Sequence, residues 1–191
     1  MKRIVLSGVL ALTSVIAFAQ TQNAAPPPPG PAPASDHSTV LVGLKLENVI
    51  SLVPPLDLMG AKFSSGHDYN EGEILEDLHG NHTSDFKVSS NRNFNVTIKS
   101  SAPNFSYTGP GMSNNVMPCG ALKYNLFSNG TGGTNATPSA WNPLTVAAAP
   151  LITNGTYGKD KPFSLKFKAD PGWDYTGGAY ALGVILTATQ L

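Results

Sequence analysis

Beyond Thr39, apolar side chains recur at every second position in run after run, and that spacing constrains the fold more than any other feature of the chain. A helix sets its apolar residues three and four apart, whereas a strand half-buried in a sheet sets them two apart. Val40, Val42, Leu44 and Leu46 alternate with Leu41, Gly43, Lys45 and Glu47, and the rhythm resumes at Ile50 and Leu52 before Pro54-Pro55 stops it. A long opening strand is expected there, or two joined by a bend at Glu47-Asn48. Phe86 and Val88, then Phe94, Val96 and Ile98, form two further runs separated by Asn91-Arg92-Asn93, and these read as a hairpin. Leu122, Tyr124 and Leu126 continue the pattern, as do Phe163, Leu165 and Phe167, and a last run carries Tyr180, Leu182, Val184, Leu186 and Ala188 on one face. Residues 144–149 and Leu151-Ile152 read as short strands. The only helical expectation is a single turn over residues 73–78.

Composition points the same way. The 19 Gly and 16 Pro among 191 residues resist long helices. Lys+Arg 12 balance Asp+Glu 12, without a basic stripe, which argues against a nucleic-acid partner because phosphate neutralisation needs clustered Lys and Arg. Short strands joined by Gly-, Pro- and Asn-rich connections predict an all-β, antiparallel, immunoglobulin-like β-sandwich over residues 39–191, with a β-barrel as the alternative. Its long loops are expected at residues 60–84, 102–118 and 129–142.

The N-terminal region reads separately. Lys2 and Arg3 precede an apolar run over residues 4–18, and Ala17-Phe18-Ala19 supplies a small-x-small cleavage pattern. Residues 1–19 are therefore expected to be a signal peptide cut after Ala19, giving a secreted or cell-surface product with no membrane span after its removal. Residues 20–38 hold a Pro/Ala tract that reads as an extended spacer or an ordinary terminus. Cys119 is the chain's single cysteine, so no intrachain disulfide forms, and it reads as a small buried apolar residue.

The succession Asp85-Phe86-Lys87-Val88-Ser89-Ser90-Asn91-Arg92-Asn93-Phe94-Asn95-Val96-Thr97-Ile98, followed by Gly177-Gly178-Ala179-Tyr180 and Ile185-Leu186-Thr187-Ala188-Thr189, resembles secreted bacterial pilin-like and WxL-like β-sandwich proteins. That resemblance implies a surface, fimbrial or wall-associated role without catalysis. Where WxL proteins carry Trp-x-Leu, this chain has Trp141-Asn142-Pro143 and Trp173-Asp174-Tyr175, so no functional residue is carried over.

Residues 66–85 gather Asp68, Glu71, Glu73, Glu76, Asp77 and Asp85 with His67, His79 and His82. Asp68, Glu71, His79 and His82 are the metal-ligating candidates, through Ca²⁺ on the carboxylates or a transition metal on His79-x-x-His82; the alternative is a solvated acidic loop. Gly80-Asn81 favours a turn between the histidines, and Asp68-Tyr69-Asn70-Glu71-Gly72 lacks the full calcium-loop pattern. No cofactor is expected. Neither a Gly-x-Ser-x-Gly elbow, a His-Glu-x-x-His helix nor a phosphate loop occurs, so the chain is expected not to be an enzyme. Trp141, Trp173 and Tyr175, with Tyr107, fall near Pro, Gly or Asn, where they either stack on sugar rings, as in a carbohydrate-binding module, or cap the core. Six Asn-x-Ser/Thr sites begin at Asn81, Asn95, Asn104, Asn129, Asn135 and Asn154, acceptors in a eukaryotic secretory route and ordinary polar residues in a bacterium. Val40, Val42, Leu44 and Leu46 are the candidates for strand exchange with other copies or other surface proteins, the chemistry of a fimbria-like subunit.

Overall fold

The computed structural model describes residues 42–55, 58–110, 113–137 and 139–191; the expected signal peptide, the expected spacer and Val40 lie outside them. The chain divides into two units, Met1–Leu44 and Lys45–Leu191. In the first, residues 42–44 form no strand and Val42 and Leu44 are exposed. The second contains β1 (Ile50–Val53), α1 (Gly66–Glu71), β2 (Glu73–Ile74), β3 (Ser84–Ser90), β4 (Phe94–Ser100) and β5 (Ser106–Thr108). A short 3-10 turn (Cys119–Ala121) then leads into β6 (Leu122–Asn129), β7 (Thr134–Asn135), β8 (Asn142–Pro143), β9 (Ala149–Gly155), β10 (Gly158–Ala169), β11 (Ala179–Ala181) and β12 (Val184–Gln190).

Every strand pair is antiparallel. One sheet runs β1-β3-β10-β6-β8, with β2 also on β10; the second runs β12-β4-β9-β7; β11 and β5 form a separate ribbon. Among the described residues no strand closes either sheet on itself, so the fold is an all-β sandwich rather than the barrel. Phe86, Val88, Tyr124, Leu126, Phe163 and Leu165 of the first sheet face Phe94, Val96, Ile98, Leu151 and Ile152 of the second, all buried. Leu151 and Ile152 are neighbours in sequence yet both point inward, because the pairing of β9 with β4 shifts register around Val96. An extra residue at such a bulge re-aims the side chains that follow it.

Several sequence expectations are corrected by this arrangement. Phe86-Val88 and Phe94-Val96-Ile98 do not form a hairpin: β3 pairs with β1 and β10, β4 with β12 and β9. Both rows are fully apolar and both need cover, so they lie on opposite sheets and cover each other. The chain crosses between sheets at Asn91-Arg92-Asn93, where the buried Ser90 hydroxyl donates to the Arg92 carbonyl at 2.6 Å and accepts from its N–H at 3.2 Å. The opening strand begins only at Ile50; residues 42–49 pair with no strand. The last run breaks at Leu182-Gly183 into β11 and β12. Residues 73–78 contain β2, not a helical turn, and the helix lies just before it. Residues 144–148 form no strand, although Leu144 is buried between the sheets.

Candidate functional site

The loop between β1 and β3 is not an open acidic loop. Gly60 and Glu76 close its base by reciprocal main-chain hydrogen bonds of 2.9 Å. Ser65-x-x-Asp68 then starts α1 as a capping box: the Asp68 carboxylate accepts from the N–H of Ser64 at 2.6 Å, from the N–H of Ser65 at 2.8 Å and from the Ser65 hydroxyl, while the Ser65 oxygen accepts from the Asp68 N–H at 3.3 Å. Such reciprocal bonds satisfy amide donors that a helix start leaves unpaired. The Ser65 hydroxyl, then the two N–H groups, hold the Asp68 carboxyl well below the usual carboxylate range. The helix ends at Gly72, whose φ of 70° only glycine adopts easily and whose missing Cβ would stand 2.6 Å from the Ala169 carbonyl oxygen.

This short helix sets an aromatic stack. Tyr69 lies nearly parallel to Trp173, ring centroids 4.8 Å apart at 24°, and Phe63 tilts against the same Tyr69 ring at 5.4 Å. The Trp173 indole N–H donates to Asn70 Oδ1 at 2.9 Å, fixing the ring's orientation, while 66% of the residue remains exposed. Trp173 is thus packed on one face and open on the other.

Behind the stack, the ribbon of β5 and β11 pairs Tyr107 with Tyr180, ring centroids 5.0 Å apart, and Phe105 meets Tyr180 edge-on at 6.5 Å. The Tyr107 hydroxyl lies within hydrogen-bond reach of the carbonyls of Pro110 (2.9 Å) and Gly177 (3.1 Å), and the Tyr180 hydroxyl donates to the Thr176 carbonyl at 2.8 Å. Burial, then the neighbouring Tyr107, Tyr69 and Tyr175, push the Tyr180 phenol above its usual range. Between this ribbon, the α1 loop and the segment after β10 lies a cavity of about 620 Å³, walled by Phe63, Tyr69, Phe105, Tyr175 and Tyr180. Met117 and Leu122 line it from the core side, and among the described residues Lys62 is its one charged lining residue.

Of the aromatic candidates, Tyr175 lines the cavity and Trp173 stacks on Tyr69 beside it, while Trp141 is half-buried just before β8; neither tryptophan lines the cavity. Phe63, Tyr69, Asn70, Phe105 and Tyr180 were not expected at a site. The Ser65-x-x-Asp68 pattern was the signal that would have placed Tyr69 and Asn70 on a helix. The metal candidates are not gathered: Asp68 caps α1, Glu71 is exposed at its end, and Asp77 holds the following turn by accepting from the N–H groups of His79 and Asn81, both at 2.8 Å. Among the described residues no three His, Cys, Asp or Glu side chains stand close enough to hold a metal ion. Cys119 is buried, its thiol 3.4 Å from the Leu144 carbonyl oxygen. Among the described residues no helix is long and apolar enough to cross a membrane.

The strand-exchange candidates Val42, Leu44 and Leu46 are 78%, 86% and 87% exposed. Their segment is rooted at Val49, whose N–H donates to Asn91 Oδ1 at 3.0 Å and whose carbonyl accepts from Gln190 Nε2 at 2.8 Å. Beside that root, among the described residues, β12 pairs with β4 alone. The bonds Ser101 N–H to Gly183 O (2.9 Å) and Leu191 N–H to Asn93 O (2.8 Å) assign the odd-numbered residues of this stretch to the β4 side. By the alternation of an antiparallel ladder, Val184, Leu186, Ala188 and Gln190 therefore turn their N–H and C=O groups to the free edge. Val184-Ile185-Leu186-Thr187-Ala188-Thr189-Gln190 carries no charge and no proline, the devices that ordinarily protect an edge.

No family model and no curated protein matches the chain. Among solved structures it is similar to a family 123 glycoside hydrolase from Clostridium perfringens, studied for glycolipid glycan hydrolysis, at 14% identity and a TM-score of 0.35, covering 74% of this chain and 25% of that one. The chain thus spans about a quarter of that protein. The matched structure is a hydrolase, which stands against the expectation that the chain is not an enzyme; at that TM-score it assigns neither an activity nor a residue.

Proposed function

We propose that the chain is an exported cell-surface subunit that joins its neighbours by strand addition, residues 40–46 of one copy pairing along the free edge of β12 in the next. The observation that carries this reading is the coincidence of an apolar, period-two segment exposed without a strand partner and an uncharged seven-residue edge without one. Added backbone bonds would satisfy the outward groups of Val184, Leu186, Ala188 and Gln190, and alternate apolar residues would extend the half-buried row of Val184, Leu186 and Ala188. Head-to-tail addition of this kind grows a filament wherever the rotation between copies does not close a ring. Negative-stain microscopy and sedimentation of the processed protein test it. Fibres or concentration-dependent oligomers are expected, and Leu44→Asp with Leu46→Asp should abolish them without changing the melting temperature, because both side chains are already exposed. A protein that stays monomeric at high concentration, or fibres that survive the double substitution, would refute strand addition.

A second reading rests on Trp173. An indole stacked on one side, pinned at its N–H and open on the other is the platform that sugar rings stack on. Saturable glycan binding that is lost in Trp173→Ala and kept in Trp141→Ala would support it; a glycan array with no hit would remove it.

A further inference from the structure

The strand-addition reading leaves the aromatic cavity without a role. We propose that this cavity is a binding site for a free, single-chain anionic amphiphile, an acyl chain with a carboxylate head, with the chain among the aromatic walls and the head at Lys62. Its volume of about 620 Å³ falls inside the range that holds small organic ligands. Protein interiors are close-packed, and apolar side chains facing a space of that size gain little unless an apolar body fills it.

The lining selects the class of ligand. Among the described residues no Asp, Glu, Asn or Gln side chain lines the cavity, so it offers few groups for the many hydroxyls of a sugar. The side-chain hydroxyls of the lining are those of Tyr69, Tyr175, Thr176 and Tyr180, and the Tyr180 proton is committed to a main-chain carbonyl. Phe63, Phe105, Met117 and Leu122 present only apolar surface. Among the described residues Lys62 is the one charged group of the lining and makes no ion pair, so it favours an anionic head and opposes a cationic one. This site lies on the loops beyond the sheets and shares no residue with the β12 edge.

Titration of the processed protein with hexadecanoate below its micelle concentration, followed by calorimetry, tests the assignment. Saturable binding is expected, about tenfold weaker in Lys62→Glu, and no saturable binding of hexadecyltrimethylammonium. Gly177→Trp supplies a filling variant: Gly177 lines the cavity and a Cβ added there meets no atom within 4 Å beyond its chain neighbours, so hexadecanoate binding should be lost while the melt, read in parallel, is kept. The proposal is overturned if hexadecanoate does not saturate, if the cationic amphiphile binds equally well, or if Gly177→Trp binds as the parent does. Sedimentation with phosphatidylglycerol vesicles in place of hexadecanoate binding would also overturn it, by assigning the surface to a bilayer. Filament formation is read separately, so failure here leaves strand addition standing and failure there leaves this site standing.

Discussion

Truncating Phe163 to alanine probes the centre of the sandwich. Phe163 has no exposed surface and stands on β10 directly opposite Phe86 of β3, the two rings stacked 5.1 Å apart at 12°. Removing the ring deletes its transfer energy and leaves a space that the two sheets fill only in part, a loss of about 3–5 kcal/mol. Set against a total of roughly 5–15 kcal/mol for a folded domain, that is a large fraction. At about 2–4 °C per kcal/mol for a domain of this size, the melting temperature should fall by some 6–20 °C. Guanidinium unfolding followed by tryptophan emission should show a lower midpoint with an unchanged slope. A double-mutant cycle with Phe163→Leu and Phe86→Leu isolates the stacking, with a coupling of about 0.5–1.5 kcal/mol expected. A slip of one residue between β3 and β10 would turn Phe163 to solvent. A loss below about 1 kcal/mol, or no coupling with Phe86, would therefore refute the register on which the core assignment depends.

Two further outcomes follow from the α1 loop. Because the Asp68 carboxyl is held below its unfolded value, its contribution is complete above about pH 4 and is lost as pH falls through the folded value. In a Trp141→Phe background, Trp173 emission should therefore stay native at pH 4 and change only in stronger acid, with Ser65→Ala moving that change to higher pH; an identical acid transition in both proteins would contradict the capping box. Gly72→Ala should destabilise by more than about 1 kcal/mol, since the alanine must adopt a positive φ and push its Cβ against the Ala169 carbonyl; a thermal melt equal to the parent's would show that the helix end is placed differently.

How far the sequence discloses this molecule depends on the distance over which each feature is determined. The strands over Phe86, Phe94, Leu122 and Phe163 were legible because side-chain alternation is local and the buried face must be apolar. Which strand neighbours which was not: Phe86-Val88 and Phe94-Ile98 look like a hairpin from spacing alone, and only the need of two wholly buried rows to cover each other sends the chain across the gap. Residues 42–46 carry the alternation of a strand without a partner in the described structure, because period two records the capacity to pair and not the pairing. The acidic residues of the α1 loop suggested metal ligands by their number, whereas Asp68 and Asp77 hold N–H groups of their own turns. Trp173 and Tyr175 could be singled out as large rings near turns, but Tyr69 and Phe105 come to the same end of the sandwich from remote stretches of chain.

The topology accounts for that convergence. Antiparallel pairing brings Ala169 of β10 beside both Glu73 and Leu122, and Val184 of β12 beside Ser100. The α1 loop, the segment after β10, the β5 excursion and the entry to β12 therefore all leave the sandwich at one end, where four separate stretches must pack on one another. Loops so placed are held at their roots by the sheets while their tips remain free to vary, which is where binding surfaces generally arise. The opposite end is set by Ser90 beside Ile50 and Phe94 beside Gln190, and it holds the root of residues 42–49. The full length of β12 separates the two ends. An interaction along that strand's outer edge and a ligand among the tyrosines consequently draw on different residues, and neither has to give way for the other to operate.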